Sequence, residues 1–229
     1  MQKRLVRKLD LEILLQNVKP HPTPSPSLEQ YTVSANVAAQ MLYTAAYTHD
    51  DIVDRAVLDL GCGTGRLALG AAFLDAKEAV GVDIDRTAVK AASENSVNTG
   101  LEDKVQWVAA DVESVSGEFD TVLQNPPFGV QKRGADRKFL EKALKSGKAV
   151  YSLHKGTQYS TALIRKLKAH GGYSIRTVAS SSFLKRFVEK HNGKIKAVYS
   201  MVMNIPYMFN YHTKKKHEFI VDLYVIERR

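Results

Sequence analysis

The amino-acid sequence predicts an α/β fold, a doubly wound and mostly parallel sheet of the seven-stranded type with a helical extension at its N-terminus. Two observations predict this fold. From residue 56, short apolar runs alternate with helical stretches, which is typical of parallel strands joined by helices. After the Gly171-Gly172 pair the chain reads as strands again, which predicts antiparallel strands at the end of the sheet. At 229 residues we expect a single domain over 1–229, with the extension over 1–50 and the sheet over 51–229.

The N-terminal extension is predicted to contain two helices. An apolar residue recurs at every fourth position in Leu5, Leu9 and Ile13, so residues 3–18 read as an amphipathic helix. The following stretch, KPHPTPSPS, carries four prolines in seven residues, and these force an extended connector. A second helix is predicted over about 35–47.

The elements of the sheet follow in alternation. Strands are predicted at 56–60, 79–83, 105–109, 119–123 and 148–153, and helices at 65–74, 86–98, 136–146 and 158–170. The last strands are predicted within 173–180, 195–204 and 218–227. Because the carboxyl ends of parallel strands share one edge, the loops after these strands are expected to meet.

The charge of the chain reverses near its middle. The formal net charge is +9, but residues 1–130 contain 11 Lys and Arg against 18 Asp and Glu, whereas residues 131–229 contain 22 against 6. The first part therefore has a net charge of −7 and the second a net charge of +16. A reversal localised in this way indicates that the second part faces a polyanion.

The composition also disfavours several classes of protein. Cys62 is the one cysteine, which rules out an internal disulfide and a zinc site built from several cysteines. His212 and His217 lie among lysines, and we expect no metal site there. The basic N-terminus is followed by no apolar export signal, and no run of about eighteen apolar residues predicts a membrane span, so we expect a cytoplasmic protein.

A glycine loop follows the first predicted strand. The stretch VLDLGCGTGRLALG places Gly61, Gly63 and Gly65 at the turn into the next helix, where backbone without a Cβ can approach a ligand closely. The dinucleotide-binding fingerprint requires its third glycine where this chain has Arg66, which disfavours nicotinamide or flavin. The pattern is instead G-x-G-x-G after an acidic residue, Asp59.

The stretch DLGCGTG resembles motif I of the Rossmann-like S-adenosylmethionine-dependent methyltransferases. The resemblance implies that the glycine loop wraps the methionine part of S-adenosylmethionine and that Asp59 organises the loop. It also implies that Asp83, in VGVDID, binds the ribose hydroxyls and that Ile84 packs on the adenine ring. Asp111, in VAADVE, would accept from the adenine amine, and Val112 would supply a backbone contact. The alternative is that the carboxylates only cap the helices that follow them.

Residues 125–128 read NPPF directly after the fourth predicted strand and resemble motif IV of methyltransferases that act on planar exocyclic or amide nitrogens. Such a nitrogen is a poor nucleophile because its lone pair is delocalised. The Asn125 side-chain oxygen and the Pro126 carbonyl would each accept one N–H and aim the lone pair at the methyl group. Pro127 restricts Pro126 to extended angles, and Phe128 can stack on a base with a gain of roughly 1 to 3 kcal/mol. The alternative is a turn that the prolines merely stiffen.

A larger part of the chain is similar to the methyltransferase-like family that methylates adenine N6 in the small-subunit ribosomal RNA of eukaryotes, together with its archaeal relatives. The matching segments are SLEQY, MLYTAAYTHDDI, DLGCGTGRLALGAA, VGVDID, FDTVLQNPPFGV, AVYSLHK and HTKKKHEFIVDLYVIE. The resemblance implies methylation of one adenosine in folded ribosomal RNA and, in eukaryotic members, pairing with a small zinc-binding activator protein. It also implies that SLEQY folds over the cofactor and the target base, which adds Gln30 and Tyr31 to the site.

The basic second part of the chain is the expected RNA-binding surface, because phosphate contacts would position the RNA while the NPPF pocket selects the base. The residues expected to contact RNA are Lys132, Arg133, Lys155, Lys214, Lys215 and Lys216. The NPPF motif by itself leaves other substrates open, namely protein glutamine N5, guanine N2 and adenine in DNA. A non-catalytic ribosome assembly factor that keeps the fold is also left open.

Overall fold

The structure is a computed structural model, and it describes residues 5–129, 134–156, 161–168, 175–206 and 216–229. The strands are β1 (Ala56–Leu60), β2 (Glu78–Asp83), β3 (Val105–Ala109), β4 (Phe119–Gln124), β5 (Gly147–Lys155), β6 (Arg176–Thr177), β7 (Gly193–Pro206) and β8 (Lys216–Arg228). The helices are α1 (Lys8–Asn17), α2 (Ala35–Tyr43), α3 (Arg66–Phe73), α4 (Arg86–Thr99), α5 (Ala135–Ser146), α6 (Thr161–Lys168) and α7 (Ser182–Lys190).

The strands form one sheet in the order β3-β2-β1-β4-β5-β8-β7-β6. The five strands β1 to β5 are parallel, whereas β8 pairs antiparallel with β5, and β7 and β6 continue the antiparallel part. The predicted doubly wound, mostly parallel sheet is therefore confirmed, with the two-residue β6 as an eighth strand at its edge. The strand order reverses between β1 and β4, so the carboxyl ends of these strands flank the crevice where such sheets bind ligands.

Helices cover both faces of the sheet. Alternate residues of the strands belong to different buried clusters, as a two-residue period requires. On one face, Leu123 and Tyr151 belong to the cluster that contains the apolar side chains of α1, α2 and α3. On the other face, Val122 and Val150 belong to the cluster formed with α5 and α7.

Helix α1 buries a different face from the one predicted. Leu9 is 60% exposed, and Leu5 and Ile13 are also exposed, whereas Leu11 and Leu15 are fully buried. The stripe prediction was wrong because apolar residues lie on more than one side of this helix, so a fourfold spacing does not identify the side that packs. Packing against α2 and α3 decides it.

Helix α7 was not predicted, because residues after 172 were read as strands. Ser181 caps this helix, since its Oγ accepts a hydrogen bond from the Leu184 amide at 3.1 Å. The second predicted helix also differs in detail, because α2 ends at Tyr43 and continues as a π-helical turn over Thr44–Thr48. Of the described helices, none is long and apolar enough to cross a membrane.

Candidate active site

A cavity of about 320 Å³ lies at the carboxyl ends of β1, β2 and β4, beneath residues 19–33, which connect α1 to α2 and are called the lid below. Most of the predicted site residues line it. They are Gln30, Tyr31, Asp59, Gly61, Gly63, Asp83, Ile84, Asp111, Val112, Asn125 and Pro127. Gly65, Pro126 and Phe128 lie outside the lining.

The glycine loop presents its backbone to the cavity. The Gly61 amide donates to the Val82 carbonyl at 2.8 Å, which ties the start of the loop to β2. Gly63 has a φ of +53°, and a Cβ at this position would meet nothing within 4 Å. Gly65 has a φ of +88°, and its Cβ would lie 2.3 Å from the Trp107 ring. The third glycine is therefore explained by packing against β3, and Gly63 is the one that leaves room for a ligand.

Two carboxylates, the buried Asp59 and the partly buried Asp83, hold this loop. Asp83 accepts from the Gly63 amide at 2.8 Å and, with its other oxygen, from the Asp85 amide at 2.9 Å. Asp59, almost fully buried in β1, accepts from the Ala68 amide at 3.0 Å. Burial raises the pKa of both carboxyl groups, and that of Asp59 to about 7. Both groups favour a bound cation, because a positive charge nearby offsets the cost of burying a carboxylate.

We expect Asp59→Asn to flatten the pH dependence of stability. The pKa of Asp59 is about 7 in the folded protein and about 3.9 in the unfolded chain. Its stabilising contribution is therefore fully present below about pH 4 and is lost as the pH rises through about 7. Between about pH 5 and pH 8 the unfolding free energy of the wild type should fall by roughly 3 kcal/mol relative to the variant, as urea unfolding would measure. If the unfolding free energy of wild type and variant varied with pH in parallel, the raised pKa of Asp59 would be contradicted. Asp103→Asn, which changes an exposed carboxylate, is the control.

Asn125 places an acceptor without a partner in the cavity. Its Nδ2 donates to the Tyr31 carbonyl at 3.2 Å. Because a carbonyl only accepts hydrogen bonds, this contact fixes the orientation of the amide. The Asn125 Oδ1 is buried and has no hydrogen-bond partner among the described residues. A buried amide oxygen without a partner is costly, so the site is built for a donor that arrives with a ligand.

The middle of the lid is fastened to the N-cap of α4. His21 Nδ1 accepts from the Thr23 amide at 3.0 Å, so the neutral ring carries its proton on Nε2, which donates to Asp85 at 3.0 Å. Gln30 Nε2 donates to the same Asp85 oxygen at 2.7 Å, and its Oε1 accepts from the Ser25 amide at 2.6 Å. The Gln30 side chain therefore holds the lid shut as well as lining the cavity.

The two ends of the lid are fastened by side chains that sequence reasoning did not select. Arg66, at the start of α3, donates from Nη1 to the Val33 carbonyl and from Nη2 to the Val18 carbonyl at 3.0 Å. Asn95 accepts from the Lys19 amide at 3.0 Å and donates to the Lys19 carbonyl at 3.1 Å. Burial lowers the pKa of Arg66 to about 10, so the guanidinium stays charged at neutral pH. One feature of the sequence indicates that Arg66 has a special role, namely that it stands where the dinucleotide-binding fingerprint has glycine.

We expect Arg66→Met to loosen the lid without unfolding the sheet. The variant removes both donors, so the Thr23 and Ser25 amides, which are protected by the closed lid, should exchange with solvent about 10-fold faster. Hydrogen exchange detected by mass spectrometry would measure this. Arg55→Met is the matched control, because Arg55 is a partly exposed arginine away from the lid. Equal exchange rates in the wild type and both variants would show that Arg66 does not hold the lid closed.

Comparisons with known proteins agree with this geometry. The profile of the Methyltransferase small domain family matches residues 34–175. METTL5 of Danio rerio, named an rRNA N(6)-adenosine-methyltransferase, is 34% identical over 219 residues, which cover 93% of this chain and 95% of that protein. Mettl5 of Drosophila melanogaster carries the same enzyme name and is 33% identical over 224 residues, with 95% and 94% covered.

The chain belongs to the METTL5 family of methyltransferases. The crystal structure of PH1948 from Pyrococcus horikoshii also superposes on this chain with a TM-score of 0.80 at 32% identity, covering 98% of this chain and 99% of that one. The chain is therefore similar to family members over nearly its whole length, including the lid and the antiparallel end of the sheet.

The cofactor of this methyltransferase is S-adenosyl-L-methionine, and the cavity fits it. The open backbone at Gly63 and the carboxylates of Asp59 and Asp83 suit a cationic ligand. Ile84 is a large apolar side chain that stays 57% exposed while lining the cavity, as expected for a surface that a flat ring covers. Asp111 also lines the cavity, but one of its oxygens accepts from the Glu113 amide at 2.9 Å, so the capping alternative applies to it in part.

The remaining predicted site residues that the structure describes do not line the cavity. Phe128 is partly buried and packs edge-on against Phe219, with 5.8 Å between ring centroids, so its stacking on a base stays a prediction. Lys155 is exposed at the end of β5. The other residues predicted to contact RNA fall outside the described residues or side chains, and these are Lys132, Arg133, Lys214, Lys215 and Lys216.

His154 belongs to the core of the sheet. It is buried, contacts Ser152 Oγ at 2.8 Å and packs edge-on against Tyr224, and burial lowers its pKa to about 4. A neutral, enclosed imidazole away from the cavity lining is a packed residue rather than a substrate contact. Among the described residues no cluster of three or more His, Cys, Asp or Glu side chains is arranged to hold a metal ion.

Proposed function

We propose that this protein is an S-adenosylmethionine-dependent methyltransferase that adds a methyl group to N6 of one adenosine in small-subunit ribosomal RNA. The observation that carries the proposal is the buried Asn125 Oδ1, an oriented acceptor without a partner at the end of β4. An exocyclic amine supplies the missing donor. The relatives named rRNA N(6)-adenosine-methyltransferases, which match over more than nine tenths of this chain, support adenine as the base.

The chain's own groups would activate the nitrogen by position. The Asn125 Oδ1 and the Pro126 carbonyl accept the two N–H groups of the amine, which draws the nitrogen towards tetrahedral geometry and exposes its lone pair. S-adenosylmethionine supplies a methyl group on a positively charged sulfur. The amine nitrogen forms the new bond to carbon as the bond from carbon to sulfur breaks, and it then loses one proton to water. No strong base is required, because the methylated cationic nitrogen is acidic.

The lid and the basic residues would complete the enzyme. We infer one methyltransferase domain over 1–229, in which residues 1–50 form the extension and lid, acting in the cytoplasm where ribosomes work. Gly61, Gly63, Asp83 and Ile84 would hold the cofactor. The predicted RNA-contacting lysines and Arg133 would bind phosphates around the target base.

We also propose, from the resemblance, that a small zinc-binding activator protein pairs with this chain as a heterodimer partner. Support comes from the edge of the sheet, where β3 pairs with β2 on one side only among the described residues. Val97 and Val108 are exposed near this edge. An edge strand with apolar neighbours suits a partner that adds a strand. Co-expression with a candidate activator followed by co-purification would test the pairing, and a variant with Val108→Lys should not co-purify.

Methylation of RNA is the direct test of the proposed function. RNA from cells that lack the protein would be incubated with the purified enzyme and isotope-labelled cofactor, digested to nucleosides and separated. We expect the label in N6-methyladenosine from the small-subunit RNA. Label in N2-methylguanosine, in DNA or in a protein glutamine would show that the enzyme has a different substrate. Failure to bind the cofactor in calorimetry would favour a non-catalytic assembly factor.

A further inference from the structure

Helix α7 carries an aromatic surface that packing does not explain. The helix is anchored by Leu184 and Val188, which are buried in the cluster shared with α5. Phe183 points away from this cluster and is 50% exposed. Among the exposed large apolar side chains of the described residues, it is the only aromatic one. One exposed apolar side chain is ordinary on a protein surface, so the case for a contact rests on the rings and charges around Phe183.

The aromatic rings on α7 form a row. Phe183 and Phe187 are stacked, with ring centroids 6.3 Å apart and an interplanar angle of 28°. Phe187 lies 4.3 Å from His191 at 33°. Since the three residues are four apart, they share one side of the helix. The row offers a flat face at its exposed end, at Phe183, which is the kind of surface on which nucleic-acid bases stack.

Positive charge flanks this row. Arg186 and Lys190 are exposed and lie three residues after Phe183 and Phe187, beside the row, whereas the exposed Lys185 lies two residues from each ring and faces another side of the helix. Glu189 is the one acidic side chain of the helix. An exposed aromatic face with two cations beside it matches the requirements of single-stranded RNA, since bases stack while phosphates pair with Lys and Arg.

The start of α7 is attached to the sheet at the same level along the strands as the active site. The Ser181 amide donates to the Tyr224 hydroxyl at 3.1 Å. Tyr224 pairs with Ser152 of β5, and Ser152 pairs with Gln124, the residue before Asn125. The backbone of Tyr224 is thus two strand spacings from Gln124, about 10 Å. The start of α7 is therefore fixed at the level of the sheet that holds Gln124, so RNA whose adenosine reaches Asn125 can extend from there towards Phe183.

We propose that α7 binds the single-stranded RNA next to the target adenosine, with a neighbouring base stacked on Phe183 and phosphates on Arg186 and Lys190. This inference rests on the proposed function, because it assigns a second contact to the same RNA. The helix thereby contributes to choosing the adenosine, since an unpaired neighbouring base is free to stack on the ring.

The experiment compares variants of the whole protein on a ribosomal RNA fragment that the wild type methylates. Phe183→Ala should weaken RNA binding about 10-fold in fluorescence anisotropy, whereas Phe183→Tyr, which keeps a flat ring, should bind like the wild type. The double variant Arg186→Gln, Lys190→Gln should lower the slope of log affinity against log salt by about 1 to 2. KM for the RNA should rise in Phe183→Ala and in the double variant but not in Phe183→Tyr, with kcat and cofactor affinity unchanged in all three.

Matched controls separate this inference from the function itself. Leu9→Ala removes another exposed apolar side chain, and Lys77→Gln removes a charge from the acidic part of the chain, and both should bind RNA like the wild type. Wild-type affinity and KM in the α7 variants would overturn the inference while leaving RNA methylation intact. A wild type that neither binds nor methylates any RNA would overturn both. An unchanged melting temperature checks that each variant is folded.

Discussion

Replacement of Asn125 by alanine should lower kcat by about 10²-fold, the effect of removing one positioned polar group from an active site. The substrate amine would lose the acceptor that draws its lone pair out of the ring, while the cofactor cavity keeps its glycine loop and Asp83. We therefore expect the dissociation constant of S-adenosylmethionine to stay within about twofold of the wild-type value, because none of the cofactor contacts inferred for those groups is removed. Single-turnover methylation and calorimetry would measure the two quantities.

Two further variants sharpen this test. Asn125→Asp keeps an oxygen but puts a carboxylate against the Tyr31 carbonyl, where the wild type has a donor 3.2 Å away, so it should be nearly as inactive as the alanine variant. Asn98→Ala removes an exposed asparagine of α4 and should keep wild-type activity. Turnover within about threefold of the wild type in Asn125→Ala would remove this residue from the mechanism.

Replacement of Asp83 by alanine should raise the dissociation constant of S-adenosylmethionine by about 10²-fold or more. In the proposed complex the carboxylate accepts from the ribose hydroxyls, and a hydrogen bond to a charged group contributes about 1.5 to 3 kcal/mol. The same change leaves the Gly63 amide without its partner, so the loop that approaches the ligand also loses support. Calorimetry with the unreactive product S-adenosylhomocysteine would measure the loss without turnover.

The control for this prediction is Asp103→Ala, which removes an exposed carboxylate just before β3, at the end of the sheet away from the cavity. RNA affinity, measured in the absence of cofactor, should be unchanged in both variants. If Asp83→Ala binds the cofactor with wild-type affinity, another residue binds the ribose and Asp83 only supports the loop.

The periodicity of the sequence was sufficient for the central part of the fold. The parallel strands and the helices between them are long, regular and separated by clear turns, so local pattern and tertiary packing agree. The failures have physical causes. In α1 apolar residues lie on several sides, and contacts with Leu42 and Gly70, distant in sequence, select Leu11 and Leu15. In α7 the run SFLKRFVEK mixes aromatic and basic residues, and its period was masked by the β-forming stretches around it.

The candidate site was predictable wherever a function requires a residue type at a fixed spacing. The glycine loop, Asp83 and the NPPF stretch follow strands, and the sheet topology brings them together. The lid anchors could not be predicted, because Arg66 contacts Val18 and Val33, more than thirty residues away, through carbonyl groups that every residue has. Since every residue has a backbone carbonyl, the sequence does not show which carbonyl a side chain contacts, and only the structure does.

The guanidinium that joins Val18 to Val33 makes the lid an Ω-loop with a closed base. Most of the entropy lost on shutting a loop comes from bringing its ends together, and here Arg66 keeps them together in advance. The contacts of His21, Gln30 and Tyr31 are then among those that break for the cofactor to pass. A lid hinged in this way can open once in every turnover without repeating the long conformational search that a free segment would face.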